Sequence, residues 1–195
     1  RIVVSLVFDD RRRPQPPHRL RQQHIDRLRQ GFEVAPGVIL RDGGILADRF
    51  TDGPYIFQNV HTLGGAARHT AAHTALLRAA AKSLFGFDPE ITADELRRRI
   101  ARLTEACRMP SRVSVRAVVR LYPTGSIEIA CDEPSIYAGY VLRSLRPDAI
   151  CLRMAPPLPS LPTSAAEHTR LLADTMARTR GARTAILTDS DGTVI

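Results

Sequence analysis

Residues Thr51–Gly65 read Thr-Asp-Gly-Pro-Tyr-Ile-Phe-Gln-Asn-Val-His-Thr-Leu-Gly-Gly and give the clearest indication of the fold. Residues 55–63 are rich in aromatic and β-branched side chains, so they predict a strand that the two glycines end. The segment from about residue 70 to residue 85 is rich in Ala and Leu, which predicts a helix that stops at Gly86. A strand, a tight turn and a helix are therefore expected in succession.

Two further elements are expected after this helix. Thr92 and Glu95 have the spacing of a capping box, in which the hydroxyl accepts from a free N–H and the carboxylate reaches back. The helix that they open is expected to run to about Arg108, with a buried stripe at every third or fourth position: Leu96, Ile100 and Leu103. Residues 111–122 alternate apolar and polar side chains, which predicts a strand. A turn at 123–125 and a returning strand at 126–131 follow, and further strands are expected at 137–143 and 149–153.

Before Thr51, the sequence predicts a hairpin. Residues 38–40 and 45–46 are apolar, and Asp42-Gly43-Gly44 between them is a turn sequence. Nearer the start, residues 2–8 predict a strand and residues 19–30 predict a helix.

The last part of the chain begins with a proline-rich stretch. Residues 155–163 cannot form a helix or a central strand, because proline lacks the N–H donor and fixes φ. A helix at 164–180, a strand at 184–188 and the start of a partner strand after Gly192 are expected next. We therefore predict a two-domain α+β fold, with an N-terminal domain at 1–154, an interdomain crossing at 155–163 and part of a C-terminal domain at 164–195.

Composition and charge restrict the class of protein. The net charge is +8, but the arginines are scattered without interleaved aromatic residues, so nucleic-acid binding is not favoured. We expect no membrane span and no signal peptide, since the apolar runs are short. Three widely spaced cysteines indicate reduced thiols in a cytoplasmic protein. Cys131 and Cys151 lie in apolar runs and are expected to be buried and inert.

Two stretches resemble the class IV aminotransferases, the fold type IV pyridoxal-phosphate enzymes that include branched-chain and D-amino-acid aminotransferases and aminodeoxychorismate lyase. The first is residues 51–65 with the helix that carries His73, which is similar to the family's GDGVFE strand, glycine turn and histidine helix. The second is residues 157–195, which is similar to the run that precedes the family's TEGS motif. The resemblance implies a homodimer and an amino-acid or keto-acid ligand.

The resemblance also assigns the positions of the family's cofactor residues. Pyridoxal phosphate needs a lysine amine for covalent attachment, and the family's lysine position falls at Thr163. The family's phosphate-binding arginine falls at Leu76, whereas Arg78, two residues on, points about 200° away on a helix. Lys82 is the only lysine in the sequence. We therefore expect no catalytic residue of the family's mechanism and no bound cofactor.

His61, His69 and His73 are the candidate metal ligands in the sequence. His69 and His73 are spaced i, i+4, as zinc ligands sometimes are, but no cysteine or carboxylate lies at ligand spacing. Packing or capping roles explain these histidines more simply, and we predict no metal site.

Three functional hypotheses stay open at this point. The first is a class IV aminotransferase-like protein that has lost cofactor chemistry and serves as a non-catalytic binding or partner subunit, or as an enzyme with a different, cofactor-free chemistry in the old cleft near Thr163. The second is an incomplete chain of a functional pyridoxal-phosphate aminotransferase or lyase that acts on an amino acid. The third is an arginine-rich binding module for an acidic partner, whose binding would depend steeply on salt concentration.

Overall fold

The computed structural model describes residues 38–109, 114–135 and 148–195, with the backbone alone described at 132–135. These residues belong to one compact unit, Glu33–Ile195. The predicted strand at 2–8, the predicted helix at 19–30 and the predicted strand at 137–143 lie outside the described residues.

Six antiparallel strands form the larger sheet, in the order β2-β1-β6-β5-β3-β4. The strands are β1 (Val38–Arg41), β2 (Gly44–Ala47), β3 (Ile56–Leu63), β4 (Ala66–Ala67), β5 (Ser114–Leu121) and β6 (Ile127–Ser135). The predicted strands at 55–63, 111–122 and 126–131 are thus present, and residues 111–113 lie outside the described residues. A β-bulge between Val115 and Ala117 interrupts the pairing of β5 with β6.

The hairpin of β1 and β2 confirms the turn prediction. Asp42 and Gly43 have φ angles of 45° and 89°, the pair of positive values that a type I′ turn requires. The Asp42 carboxylate accepts hydrogen bonds from Ile127 N at 2.8 Å and from the Ser126 hydroxyl at 2.7 Å, which ties the turn to the start of β6.

Two helices cover one face of this sheet, α1 (Thr70–Leu84) and α2 (Ala93–Ala106). Leu96, Ile100 and Leu103 are fully buried, so the predicted stripe of α2 is confirmed. The Thr92 hydroxyl accepts from Glu95 N at 3.1 Å, as the capping box requires. The expected reach of the Glu95 carboxylate back to the cap is not observed, because its oxygens accept instead from the guanidinium groups of Arg98 and Arg99.

A second, smaller sheet pairs β7 (Ala149–Arg153) with β8 (Thr184–Thr188) in parallel. The helix α3 (Ser164–Thr179) connects them and packs on one face. Small side chains allow this close approach, since Ala173 and Ala177 of α3 are completely buried. The proline-rich residues between β7 and α3 form neither helix nor strand, as predicted. The domain boundaries stay a prediction.

The burial of the cysteines differs from the expectation. Cys107 is buried at the end of α2, but Cys131 is half-buried and Cys151 is exposed. Cys151 pairs in register with Ile186, which is also exposed, on the face of the small sheet opposite α3. An apolar strand sequence is buried on both faces only when both faces are covered, and here the described residues cover one.

The described part of the chain is therefore a mixed α+β structure, as the sequence predicts. None of its helices is both long enough and apolar enough to span a bilayer.

Candidate functional site

The candidate site lies where the N-terminus of α3 meets β3. Thr163, just before α3, forms an isolated antiparallel bridge with Ile56. Ser164 N donates to Tyr55 O at 2.8 Å, so the first turn of the helix is fixed to the start of the strand by backbone hydrogen bonds. Residues that are more than 100 positions apart in the chain thus share one site.

The side chain of Thr163 caps α3. Its hydroxyl accepts from Ala166 N at 3.2 Å, and the residue has the extended backbone that an N-cap adopts. Thr163 is 8% exposed. The structure therefore gives the hydroxyl a defined structural task at the position where the resemblance puts the family's lysine.

This role predicts a specific mutational pattern at Thr163. Thr163→Ala is expected to lower the free energy of unfolding by about 1 kcal/mol, because Ala166 N then loses its acceptor. Thr163→Ser keeps an oxygen at the same place and is expected to stay close to the wild type. Urea unfolding followed by circular dichroism measures both values. An equal loss in the two variants would show that the methyl group rather than the cap matters.

Four side chains beside Thr163 form what we call the Arg120 cluster: Phe50, Tyr55, Arg120 and Glu167. The Tyr55 hydroxyl donates to Oε2 of Glu167 in a very short hydrogen bond, and Nη2 of Arg120 donates to the same oxygen at 3.1 Å. Burial and the nearby Glu167 carboxylate raise the pKa of Tyr55. The phenol is therefore a hydrogen-bond donor at neutral pH.

Aromatic rings enclose the guanidinium of Arg120. Its Cζ lies 4.0 Å from the ring centroid of Phe50 and 4.0 Å from that of Tyr55. Such cation–π contacts strengthen when water is excluded. Nε of Arg120 is shielded from solvent and has no hydrogen-bond partner among the described residues.

A buried carboxylate, Glu128, lies near the Arg120 cluster. Oε1 accepts from Arg41 Nε at 2.5 Å and from the Thr51 hydroxyl at 2.5 Å, while Oε2 accepts from Thr51 N and the Tyr122 hydroxyl, each at 2.8 Å. Burial by itself raises the pKa of Glu128, but these hydrogen bonds outweigh it and hold the pKa below its usual value. The network anchors the segment after β2 to the sheet.

A cavity of about 420 Å³ adjoins this network, and Tyr122, whose ring packs edge-on against that of Tyr55, is in its wall. Backbone turns and short polar side chains complete the lining: Arg41, Thr51, Asp52, Gly53, Pro54, Pro123, Thr124, Ser126 and Glu128. Because the Glu128 oxygens are already engaged, that carboxylate has a structural rather than a proton-transfer role.

Leu76 is 56% exposed on α1, off the stripe through which this helix packs on the sheet. Arg78 is engaged by a surface carboxylate, since its Nε and Nη2 donate to the two oxygens of Asp88 at 2.6 and 2.5 Å. Lys82 lies in the last turn of α1 and is exposed. These placements put no lysine side chain beside Thr163.

The three histidines have separate local contacts, and Nδ1 of His61 lies 3.4 Å from the Ser114 hydroxyl oxygen. His69 is the left-handed N-cap residue of α1, with φ 52°, and the side chain of His73 contacts Gln58 Oε1 through Nδ1 at 2.8 Å. Burial, followed by the nearby His69 and His61, lowers the pKa of His73. Within the described ranges, no group of three His, Cys, Asp or Glu residues is arranged to hold a metal ion.

The sequence reasoning missed Arg120, Glu167 and Glu128. A signal existed for the strand residues, because Arg120 and Glu128 are charged side chains set among buried apolar ones, and they pair in register across β5 and β6. Glu167 carried no such signal, since an acidic residue in the first turn of a helix is common.

Solved structures share this fold. The branched-chain aminotransferase from Thermoproteus uzoniensis superposes with a TM-score of 0.60 at 19% identity, over 81% of this chain and 61% of that chain. The Escherichia coli branched-chain amino acid aminotransferase gives 0.61 at 17% identity, over 82% and 62%. A hypothetical aminotransferase from Mycobacterium tuberculosis, in an α-ketoglutarate- and PMP-bound form, gives 0.62 at 18%, over 80% and 64%.

The match covers most of this chain but about three fifths of each of those proteins. The sequence matches no protein-family model and no curated protein. The expected fold, that of the class IV aminotransferases, is therefore confirmed by the structure.

Proposed function

We propose that this chain, which has the fold of the class IV aminotransferases, is a divergent homologue that does not perform their lysine-dependent transamination. The observation that supports the proposal is that Thr163 is buried and that its hydroxyl caps α3. A threonine cannot form the covalent bond through which a lysine amine holds pyridoxal phosphate.

The placement of the only lysine supports the same proposal. Lys82 lies on α1, close enough to Asp88 to lower the pKa of that carboxyl after the larger effect of Arg78. It is a solvated surface amine, and a reactive lysine is ordinarily desolvated or set beside another cation. The described residues thus do not fit covalent attachment of the cofactor.

The position that the resemblance assigns to the phosphate-binding arginine also has an unsuitable residue. Phosphate recognition depends on a fork of charged donors, and Leu76 offers none. The nearest arginine in sequence, Arg78, is held by Asp88 through two hydrogen bonds. We infer that the ancestral cofactor site has been lost at both its covalent and its phosphate contacts.

The function that remains is binding. We propose a non-catalytic homodimeric or partner subunit of the cytoplasm, in which the surface near Thr163 and β3 takes an amino-acid or keto-acid ligand or a protein partner. Arg120 and Tyr55 show that this surface can bind a carboxylate, since both donate hydrogen bonds to the carboxylate of Glu167.

A second candidate is a catalytic pyridoxal-phosphate enzyme of which these residues form one part. The partial coverage of the matched aminotransferases motivates it, because their chains include residues with no counterpart here. In this case the lysine would come from outside the 195 residues.

The deciding experiment adds pyridoxal phosphate to the purified protein, reduces the mixture with borohydride and locates any adduct by peptide mass. We expect no stoichiometric adduct, and any trace label on Lys82 should disappear in the control variant Lys82→Arg, with circular dichroism unchanged. A full equivalent of label on a lysine, together with a new visible absorption band after dialysis, would refute the non-catalytic proposal. An intact mass above that of 195 residues would then favour the second candidate.

A further inference from the structure

The hydrogen bonding of Arg120 is incomplete. A guanidinium has five N–H donors in a planar fork that matches the two oxygens of a carboxylate. The Glu167 carboxylate meets this fork at Nη2 through Oε2, while Nε is shielded from solvent and has no partner in the described part of the chain. The observed pair therefore lacks the two-pronged geometry.

The surroundings of Arg120 favour a negative charge from three sides. The Tyr55 hydroxyl points its proton at the oxygen that Arg120 contacts. Glu167 lies in the first turn of α3, where the free N–H groups create a partial positive charge. The rings of Phe50 and Tyr55 cover the faces of the guanidinium and reduce its access to water. A carboxylate in this place is thus stabilised by the Arg120 cation, by a hydroxyl donor and by the partial positive charge of the helix N-terminus.

We propose that the Arg120 cluster is a carboxylate-binding site whose occupant in this chain is the chain's own Glu167. The side chain of Glu167 closes the site to free anions, and its removal opens a site for a small monocarboxylate. The proposal concerns the described side chains alone and does not depend on the loss of cofactor chemistry.

The pair of Arg120 and Glu167 is exposed enough for a small anion to reach the site. The side chains of Arg120 and Glu167 are 18% and 26% exposed, so the pair is largely covered yet reaches solvent at its edge. Truncating Glu167 to alanine removes its Cγ together with the carboxyl group and leaves a space of that volume beside Nη2 of Arg120 and the Tyr55 hydroxyl. Acetate and formate carry that group and fit the space.

The experiment is a chemical rescue of Glu167→Ala. Melting temperatures are measured by circular dichroism in rising sodium acetate and, at equal ionic strength, in sodium chloride. The variant is expected to melt lower than the wild type in chloride, because Arg120 has lost its counter-charge. Acetate at about ten times its Kd is expected to raise the melting temperature by roughly 3–6 °C above the chloride value, with saturation.

Asp94→Ala is the matched control. Asp94 also lies in the first turn of a helix and also pairs with an arginine, Arg97, but both side chains of this pair are more than half exposed. Its variant and the wild type are expected to respond identically to acetate and chloride, since a solvated arginine needs no replacement anion.

A second variant, Glu167→Ser, covers the case in which Glu167→Ala does not fold. Serine is well tolerated in the first turn of a helix and leaves most of the same space. An acetate-specific rise in either Glu167 variant, absent from the wild type, supports the proposal. No acetate-specific rise in a folded Glu167 variant, or an equal rise in the wild type, overturns it.

Discussion

Replacing Glu128 with alanine is expected to lower the free energy of unfolding by about 3 kcal/mol. Glu128 is 1% exposed and accepts hydrogen bonds from Arg41, Thr51 and Tyr122. Its loss leaves these donors without their acceptor and leaves Arg41 with only the exposed Asp48 carboxylate as a counter-charge. Urea unfolding of the two proteins at pH 7 measures the difference.

Glu105→Ala is the control for this prediction, because Glu105 is an exposed glutamate on α2. It should change the free energy of unfolding by about 0.5 kcal/mol or less. A similarly small effect of Glu128→Ala would contradict the view that the carboxylate anchors the segment after β2.

The pH dependence of stability gives an independent check on Glu128. Its folded-state pKa is lowered, so its contribution is complete above the unfolded value of about 4.3 and is lost as the pH falls through the folded value. The wild type should therefore lose stability more steeply than Glu128→Gln on acidification below about pH 4. Parallel curves for the two proteins would argue against a lowered pKa.

Replacing Leu103 with alanine is the second large effect, with an expected loss of about 3 kcal/mol. Leu103 is fully buried in the layer between α2 and the six-stranded sheet. Truncation removes apolar contacts and leaves a cavity that a layer of helix on sheet closes only in part. The same urea experiment measures the loss.

Leu76→Ala makes the same chemical change at an exposed position of α1. Its unfolding free energy should stay within about 0.5 kcal/mol of the wild type, since alanine has the higher helix propensity and little burial is lost. A large loss at Leu76 would contradict its exposure on α1.

Much of the secondary structure was predictable from local sequence. The turn at Asp42–Gly43, the cap at Thr92 and the stop at Gly86 each depend on a few neighbouring residues, and each is observed. The buried stripe of α2 follows from the spacing of its apolar residues at every third or fourth position in the sequence. The resemblance of residues 51–65 and 157–195 to the class IV aminotransferases gave the fold, since it preserves the order of these elements.

The exposure of Cys151 shows that a local sequence pattern does not determine whether a strand residue is buried. An apolar run predicts a strand, but the run contains no information about which faces of a sheet other elements cover. The small sheet has α3 on one face, and Cys151 lies on the other. The prediction of a buried thiol was therefore wrong although the strand was right.

The sequence by itself determined the order of elements, the caps and turns, and the presence of threonine and leucine at the positions that the resemblance assigns to cofactor residues. The tertiary structure alone decided that Arg120 meets Glu167, 47 residues away, and that Arg41 meets Glu128, 87 residues away. Such pairs form only when strand register and helix packing bring distant side chains together. Charge pairing depends on distances of a few ångströms in space, whereas periodicity and capping depend on neighbouring residues in the chain. The helices and strands could therefore be predicted from the sequence, but the charge pairs of the site could not.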